Sequence, residues 1–221
     1  MIEIKNLCKS FKTSSDTFHA LKDINIHIKK EEAILIYGHS GSGKSTLLSI
    51  IASLMKPTSG EVNVHGENIA SLSDIHASSY RKNVVGVITQ NFHLFDELRV
   101  EENLLAPLVL NDHKSSEISI LIDKALKTAN ILHKKKQKVN TLSGGEKQRC
   151  IIARAIVNNP DIIICDEPTA NLDETNSLLF METLKELKHQ GKTLIIATHD
   201  PLFKTQEFVD RVLTMKEGSL G

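Results

Sequence analysis

Apolar and polar residues alternate over residues 2–9 and 23–30, a period of two that predicts antiparallel strands at a sheet edge. Glu32-Ala33-Ile34-Leu35-Ile36-Tyr37 is instead a short apolar run, as in a parallel strand buried on both faces. Residues 45–52 carry apolar positions at helical spacing. After the Pro57-Thr58-Ser59-Gly60 turn, residues 61–65 read as a short strand, and 84–89 as a buried strand ending at Gln90. The character then turns helical as far as Asn159. Ile118, Ile122, Ala125, Leu126 and Ala129 mark a helix over 115–132, and Ile151, Ile152, Ala155 and Ile156 mark another over 144–158. β-Branched runs at 161–165 and 193–198 predict central parallel strands, with a helix over 176–190 between them. Residues 209–215 and the Glu217-Gly218 turn add a hairpin-like piece. Strands alternating with helices predict an α/β fold.

The chemistry sits where the first buried strand meets the first helix. Gly38-His39-Ser40-Gly41-Ser42-Gly43-Lys44-Ser45-Thr46 fits the pattern G-x-x-x-x-G-K-[ST] between a strand and a helix, the context in which that pattern cradles phosphates. The glycines let successive backbone N–H groups point inward. The helix start adds about half a positive charge and Lys44 a full one. A second strand, Ile162-Ile163-Ile164-Cys165, ends in Asp166-Glu167. In a P-loop enzyme such a strand is expected beside the loop strand, with its first carboxylate helping to hold Mg²⁺. Strand alternation points the two carboxylates apart, so Asp166 serves metal-bound water while Glu167 polarises an attacking water. Leu142-Ser143-Gly144-Gly145-Glu146 opens a helix with Ser143 as N-cap and two glycines that leave N–H groups unobstructed, a second anion site without a lysine. One nucleotide needs one such loop, so the second site points to a dimer in which each subunit covers its neighbour's nucleotide.

Composition narrows the picture. Lys and Arg number 27 and so do Asp and Glu, a balance that argues against a general nucleic-acid binder. No apolar run approaches the ~18 residues that span a bilayer, and Met1-Ile2-Glu3-Ile4-Lys5 is unlike a secretory signal. Cys8, Cys150 and Cys165 lack metal-like spacing and read as reduced thiols. Lys134, Lys135, Lys136 and Lys138 form the one charge run, read as a solvated face, with lipid-headgroup contact as the minority reading.

The ordered set of motifs resembles the nucleotide-binding subunit of an ATP-binding cassette (ABC) transporter over essentially the whole chain. The resemblance implies a P-loop NTPase core, a mixed and mainly parallel sheet flanked by helices, with an antiparallel β subdomain and a helical subdomain. It implies one domain over 1–221: core and β subdomain about 1–90 and 159–221, helical subdomain about 91–158. By the same resemblance 38–46 is the Walker A loop, Gln90 touches Mg²⁺ and senses a membrane partner, and 142–148 is the signature. Ser45 and Asp166 hold Mg²⁺, Glu167 is the catalytic base, 170–173 form the D-loop and His199 is the switch histidine. Ser143, Gly144, Gly145 and Glu146 meet the nucleotide of a second copy, and Phe11 stands where the family stacks an aromatic on adenine.

Gln90-Asn91-Phe92-His93-Leu94-Phe95, Val100-Glu101-Glu102-Asn103-Leu104 and Pro107-Leu108 are similar to the lipoprotein-release (LolD), macrolide-export (MacB) and cell-division (FtsE) branch. That branch implies ATP and Mg²⁺ as ligands, an integral-membrane permease contacting the region after Gln90, no nucleic acid, and a place at the cytoplasmic face of the bacterial inner membrane. It leaves two readings open, export or extraction of a lipoprotein, peptide or drug, and transmembrane signalling to cell-wall enzymes. Lys30-Glu31-Glu32 lacks the glycine the family often has before the loop strand, Thr89 replaces an aromatic before Gln90, and Ala170 replaces a D-loop glycine.

Overall fold

A computed structural model describes residues 1–13, 16–91, 93–109 and 114–221. Phe92 therefore lies outside the described residues. Two sheets organise the chain. The first is antiparallel, in the order β2 (Thr17–Ile28), β1 (Ile2–Lys12), β4 (Ser59–Val64), β5 (Glu67–Asn68). The second runs β10 (Ser219–Leu220), β9 (Arg211–Lys216), β3 (Ala33–Tyr37), β8 (Thr193–Thr198), β7 (Ile162–Asp166), β6 (Val85–Thr89). Every pair in it is parallel except β9 with β10.

The continuous apolar runs are explained by burial on both faces. Ile34, Ile36, Ile162, Ile164, Ile195 and Ala197 point into one core with β1, β2, β4 and the helices α1 (Lys44–Ile51) and α2 (Asp74–Asn83). Ala33, Leu35, Ile163, Cys165, Leu194 and Ile196 point into the other. There they meet the helices α3 (Val100–Leu105), α4 (Ser115–Thr128), α5 (Gly144–Ile156) and α6 (Glu174–His189). Successive strand residues thus feed opposite cores, the period-two rule applied to a sheet covered on both sides.

The structure corrects several expectations. β1 is an inner strand of its own sheet, because β4 pairs with it on the side away from β2. β6, read as a buried strand, is an edge strand of the main sheet whose burial comes from helices. The strand ending in Asp166 does not lie beside the loop strand: β8 is inserted between β3 and β7. α4 ends at Thr128, short of Leu132, because Asn130 turns left-handed at φ 51°. α2 was not expected at all; only Ala77 and Tyr80 on it are buried, too few to mark a helical stripe. The turn before β3, lacking its glycine, places Glu31 at φ 62°, and the Glu31 N–H bonds Thr193 Oγ1 at 2.9 Å in compensation.

Ile163 is fully buried, whereas Ile75 on α2 is 82% exposed. Ile163→Ala is expected to cost about 2–5 kcal/mol in urea unfolding, and Ile75→Ala within about 0.5 kcal/mol of nothing. Equal costs would contradict the double-core packing.

Candidate functional site

The site begins at the C-terminal end of β3, where the chain must curl from strand to helix. Gly43 caps α1 at φ 109°, a conformation that strains any residue with a Cβ. The curl brings the Lys44 ammonium back over its own loop, where it donates to the carbonyls of Gly38 at 2.7 Å and His39 at 3.1 Å. The Lys44 Nζ also lies 3.1 Å from Glu167 Oε1. Ser45, the next residue, donates from Oγ to Asp166 Oδ1 at 3.0 Å. A hydroxyl and a carboxylate side by side form the hard-oxygen edge that Mg²⁺ uses together with phosphate oxygens and water. Among the described residues no group of three His, Cys, Asp or Glu side chains is arranged to hold a metal by itself.

The cradle opens into a cavity of about 270 Å³ lined by Ser40, Gly41, Lys44, Thr46, Gln90 and Phe18, with Glu167 in its wall. Ser42 Oγ is buried in the loop and has no hydrogen-bond partner among the described residues. A cationic nest, an orphan hydroxyl and a hard-oxygen edge fit a magnesium nucleotide.

The neighbouring carboxylates are driven in opposite directions. Burial pushes the Asp166 carboxyl up, with the Ser45 bond opposing it. Burial also raises Glu167, but bonds from His199, Lys44 and Thr198 outweigh it and hold the carboxyl below its ordinary value. His199 Nδ1 and Thr198 Oγ1 each lie 2.9 Å from Glu167 Oε2. The β8 strand inserted beside β7 is what delivers these two residues. Glu167 itself sits at φ 46°, a left-handed conformation rare outside glycine.

The second anion site is a capped helix end. At the tip of α5, Ser143 Oγ accepts the Glu146 N–H at 3.3 Å and Glu146 Oε2 accepts the Ser143 N–H at 2.8 Å. Open space surrounds Gly144, whereas a Cβ on Gly145 would collide with Asn176 Oδ1. A side chain would thus find room at Gly144, but at Gly145 only if the Asn176 side chain moved. Asn176 was missed by sequence reasoning; its only signal was its place three residues after Asp173. It donates to both Asp173 oxygens at 3.0 Å and accepts from Arg149 at 3.2 Å, joining 170–173 to α5. Thr198 was missed too, hidden as one more β-branched strand residue.

Other expected residues are placed as follows. Gln90 lines the cavity while its carbonyl accepts from Asn171 Nδ2 at 3.2 Å. Phe11 is not in the cavity wall; its cross-strand neighbour Phe18 is, and Lys9 sits 5.2 Å from the Phe11 ring. The lysine run is neutralised locally: Lys135 pairs with Asp123, Lys136 with Glu101 and Lys138 with Glu97 at 2.6, 2.8 and 3.3 Å.

The sequence profile of the ABC transporter family matches residues 21–170 of the chain. The chain belongs to the ABC transporter family. It is an ATP-binding cassette of that family, an ATPase. It is 37% identical to the macrolide export ATP-binding/permease protein MacB of Chlorobaculum tepidum over 99% of its own length, but spans only 33% of that protein. It is 34% identical to the uncharacterized ABC transporter ATP-binding protein YknY of Bacillus subtilis, covering 100% of this chain and 95% of that one. Among solved structures it matches the dimeric post-hydrolysis state of the cassette MJ0796 of Methanocaldococcus jannaschii bound to ADP and Pi. That match has a TM-score of 0.91 at 37% identity, over 100% of this chain and 96% of the other.

Because burial raises the Asp166 pKa, ionising it costs the folded chain stability, a cost that sets in as pH rises through the unfolded value and is complete above the folded one. Asp166→Asn removes that cost and is expected to leave the melting temperature equal or about 1–4 °C higher while magnesium-dependent ATPase activity collapses. A clear fall in melting temperature, followed by circular dichroism without nucleotide, would contradict the assignment.

Proposed function

We propose that this cassette powers a membrane-embedded partner by closing two copies of itself head-to-tail around two ATP–Mg²⁺ and reopening after hydrolysis. The observation that carries the reading is the convergence of Lys44, Ser45, Asp166 and Glu167 within hydrogen-bond reach at one cavity. The dimer that MJ0796 forms with ADP and Pi supports the same assembly here. In this reading Lys44 and the loop N–H groups from Gly38 to Thr46, with His39, Ser40, Gly41, Ser42 and Gly43, hold the β- and γ-phosphates. Ser45, Asp166 and Gln90 hold Mg²⁺, which neutralises charge on the phosphates. Phe11, with Phe18 beside it, receives the base.

Glu167 acts as the base. Its depressed pKa keeps it ionised at neutral pH, so that both oxygens can accept hydrogen bonds, one of them from the attacking water. His199 orients it through Nδ1, and Thr198 fixes the same oxygen from the strand side. A phosphate in the loop competes with Glu167 for Lys44, so binding frees the carboxylate to face the water. Ser143, Gly144 and Gly145 of one copy, on a helix end capped by Glu146, close over the γ-phosphate of the other, and closure is lost when that phosphate leaves.

No described helix is long and apolar enough to cross a membrane. We place the membrane step on a permease, docked on the stretch after Gln90 at the cytoplasmic face of a bacterial membrane. MacB, a macrolide export ATP-binding/permease protein, supports such a pairing and favours export as the work done, within the wider reading of export or extraction of a lipoprotein, peptide or drug.

Glu167→Gln is expected to bind ATP at least as tightly as the parent, since Lys44 loses its competitor, to turn over at least about a hundredfold more slowly, and to elute as an ATP-dependent dimer on a sizing column. A monomer with ordinary turnover would remove Glu167 from its role. Ser143→Arg is expected to keep nucleotide affinity and lose ATP-dependent dimerisation; a dimer that still forms would remove the α5 tip from the interface.

A further inference from the structure

The tip of α5 carries a charge that conflicts with its proposed task. Glu146 is bonded to the Ser143 N–H, so a full negative charge sits on the helix end that is to meet a γ-phosphate. The Ser143 N–H first, with help from Lys134, holds the Glu146 carboxyl below its ordinary value, so it is ionised at neutral pH. A carboxylate outweighs the roughly half charge of the helix end. Like charges brought together across a desolvated interface are strongly unfavourable.

The structure supplies an answer from another segment. Lys134 lies in the short 3₁₀ turn Leu132–Lys134, ahead of α5, and its ammonium sits 3.1 Å from Glu146 Oε1. The two carboxylate oxygens are thereby divided, Oε1 to Lys134 and Oε2 to the Ser143 N–H. The neighbouring lysines are occupied elsewhere, Lys135 with Asp123 and Lys136 with Glu101. The side chains of Lys134 and Glu146 are only 25% and 17% exposed, so the pair is shielded from solvent more than an ordinary surface bridge.

We infer that Lys134 is a positioning residue for dimer closure: by neutralising Glu146 it lets the α5 tip accept the partner copy's γ-phosphate. The inference rests on the cross-subunit reading of that tip and deepens it. Lys134 needs no contact with nucleotide. It cancels the capping carboxylate and holds it on Ser143, which leaves the Gly144 and Gly145 N–H groups and the helix dipole as the net field at the tip. A merely structural bridge, pinning the 131–141 segment to α5, makes a different prediction, because removing both partners then restores nothing.

The test measures ATP-dependent dimerisation by analytical ultracentrifugation in the Glu167→Gln background, with binding of a fluorescent ATP analogue to the monomer as control. Lys134→Ala is expected to weaken the dimer about tenfold, as for one shielded charge pair, with analogue affinity unchanged. Lys134→Arg is expected to stay close to the parent. Lys134→Ala combined with Glu146→Gln is expected to recover dimerisation to within about twofold, because the charge to be answered is gone. If the double variant is as weak as Lys134→Ala alone, or if Lys134→Ala dimerises normally, the inference is overturned. Should Lys134→Ala unfold, Lys134→Gln with and without Glu146→Gln gives the same comparison. Ser143→Arg in the same background separates the two ideas: if it still dimerises, the cross-subunit reading itself fails, whatever Lys134 does.

Discussion

Two contacts bind the nucleotide loop to the far side of the sheet, Lys44 to Glu167 at 3.1 Å and Ser45 to Asp166 at 3.0 Å. The rest of the site depends on them. They need α1 to start immediately after Gly43, so that consecutive residues reach consecutive carboxylates. They also need β7 to end level with the loop although β8 stands between β7 and β3. Parallel register provides this: Tyr37 pairs with Thr198 and Asp166 with Ala197, so three strand ends finish at one level. The insertion of β8 also brings Thr198 and His199 to Glu167.

The residues of the proposed site carry local costs. Asp166 carries a charge that burial disfavours, Glu167 occupies a left-handed backbone conformation, and Ser42 has a buried hydroxyl without a partner among the described residues. Each is a local cost that the fully buried strands of β3, β7 and β8 offset, since Ile34–Ile36, Ile162–Ile163 and Leu194–Ala197 are all inaccessible to solvent.

The same architecture ties the cradle to the surface proposed for the second copy. The Gln148 amide donates to the Pro168 carbonyl at 2.9 Å, fastening α5 to the segment after Glu167. Asn176 links α5 to Asp173, and Asn171 reaches the Gln90 carbonyl. Short polar contacts thus join the segment after Glu167 to α5, and Asn171 to Gln90.

Much of this was legible without coordinates. The strand-loop-helix pattern around Lys44, the apolar strand ending in Asp166-Glu167 and the Ser143 cap are local features, encoded by residues adjacent in the chain, so periodicity and motif reading found them. Strand order was not legible, because Ile162–Asp166 and Thr193–Thr198 are equally apolar and nothing local says which one neighbours β3. Nor were the partners of Glu167, the contact a Cβ on Gly145 would make with Asn176, or the bridge from Lys134 to Glu146, since each joins residues that only packing brings together. The order of residues already says which groups carry charge and where the chain must turn; which charge each one meets is settled only by packing, because Coulomb and hydrogen-bond terms depend on distances in space that chain separation does not set.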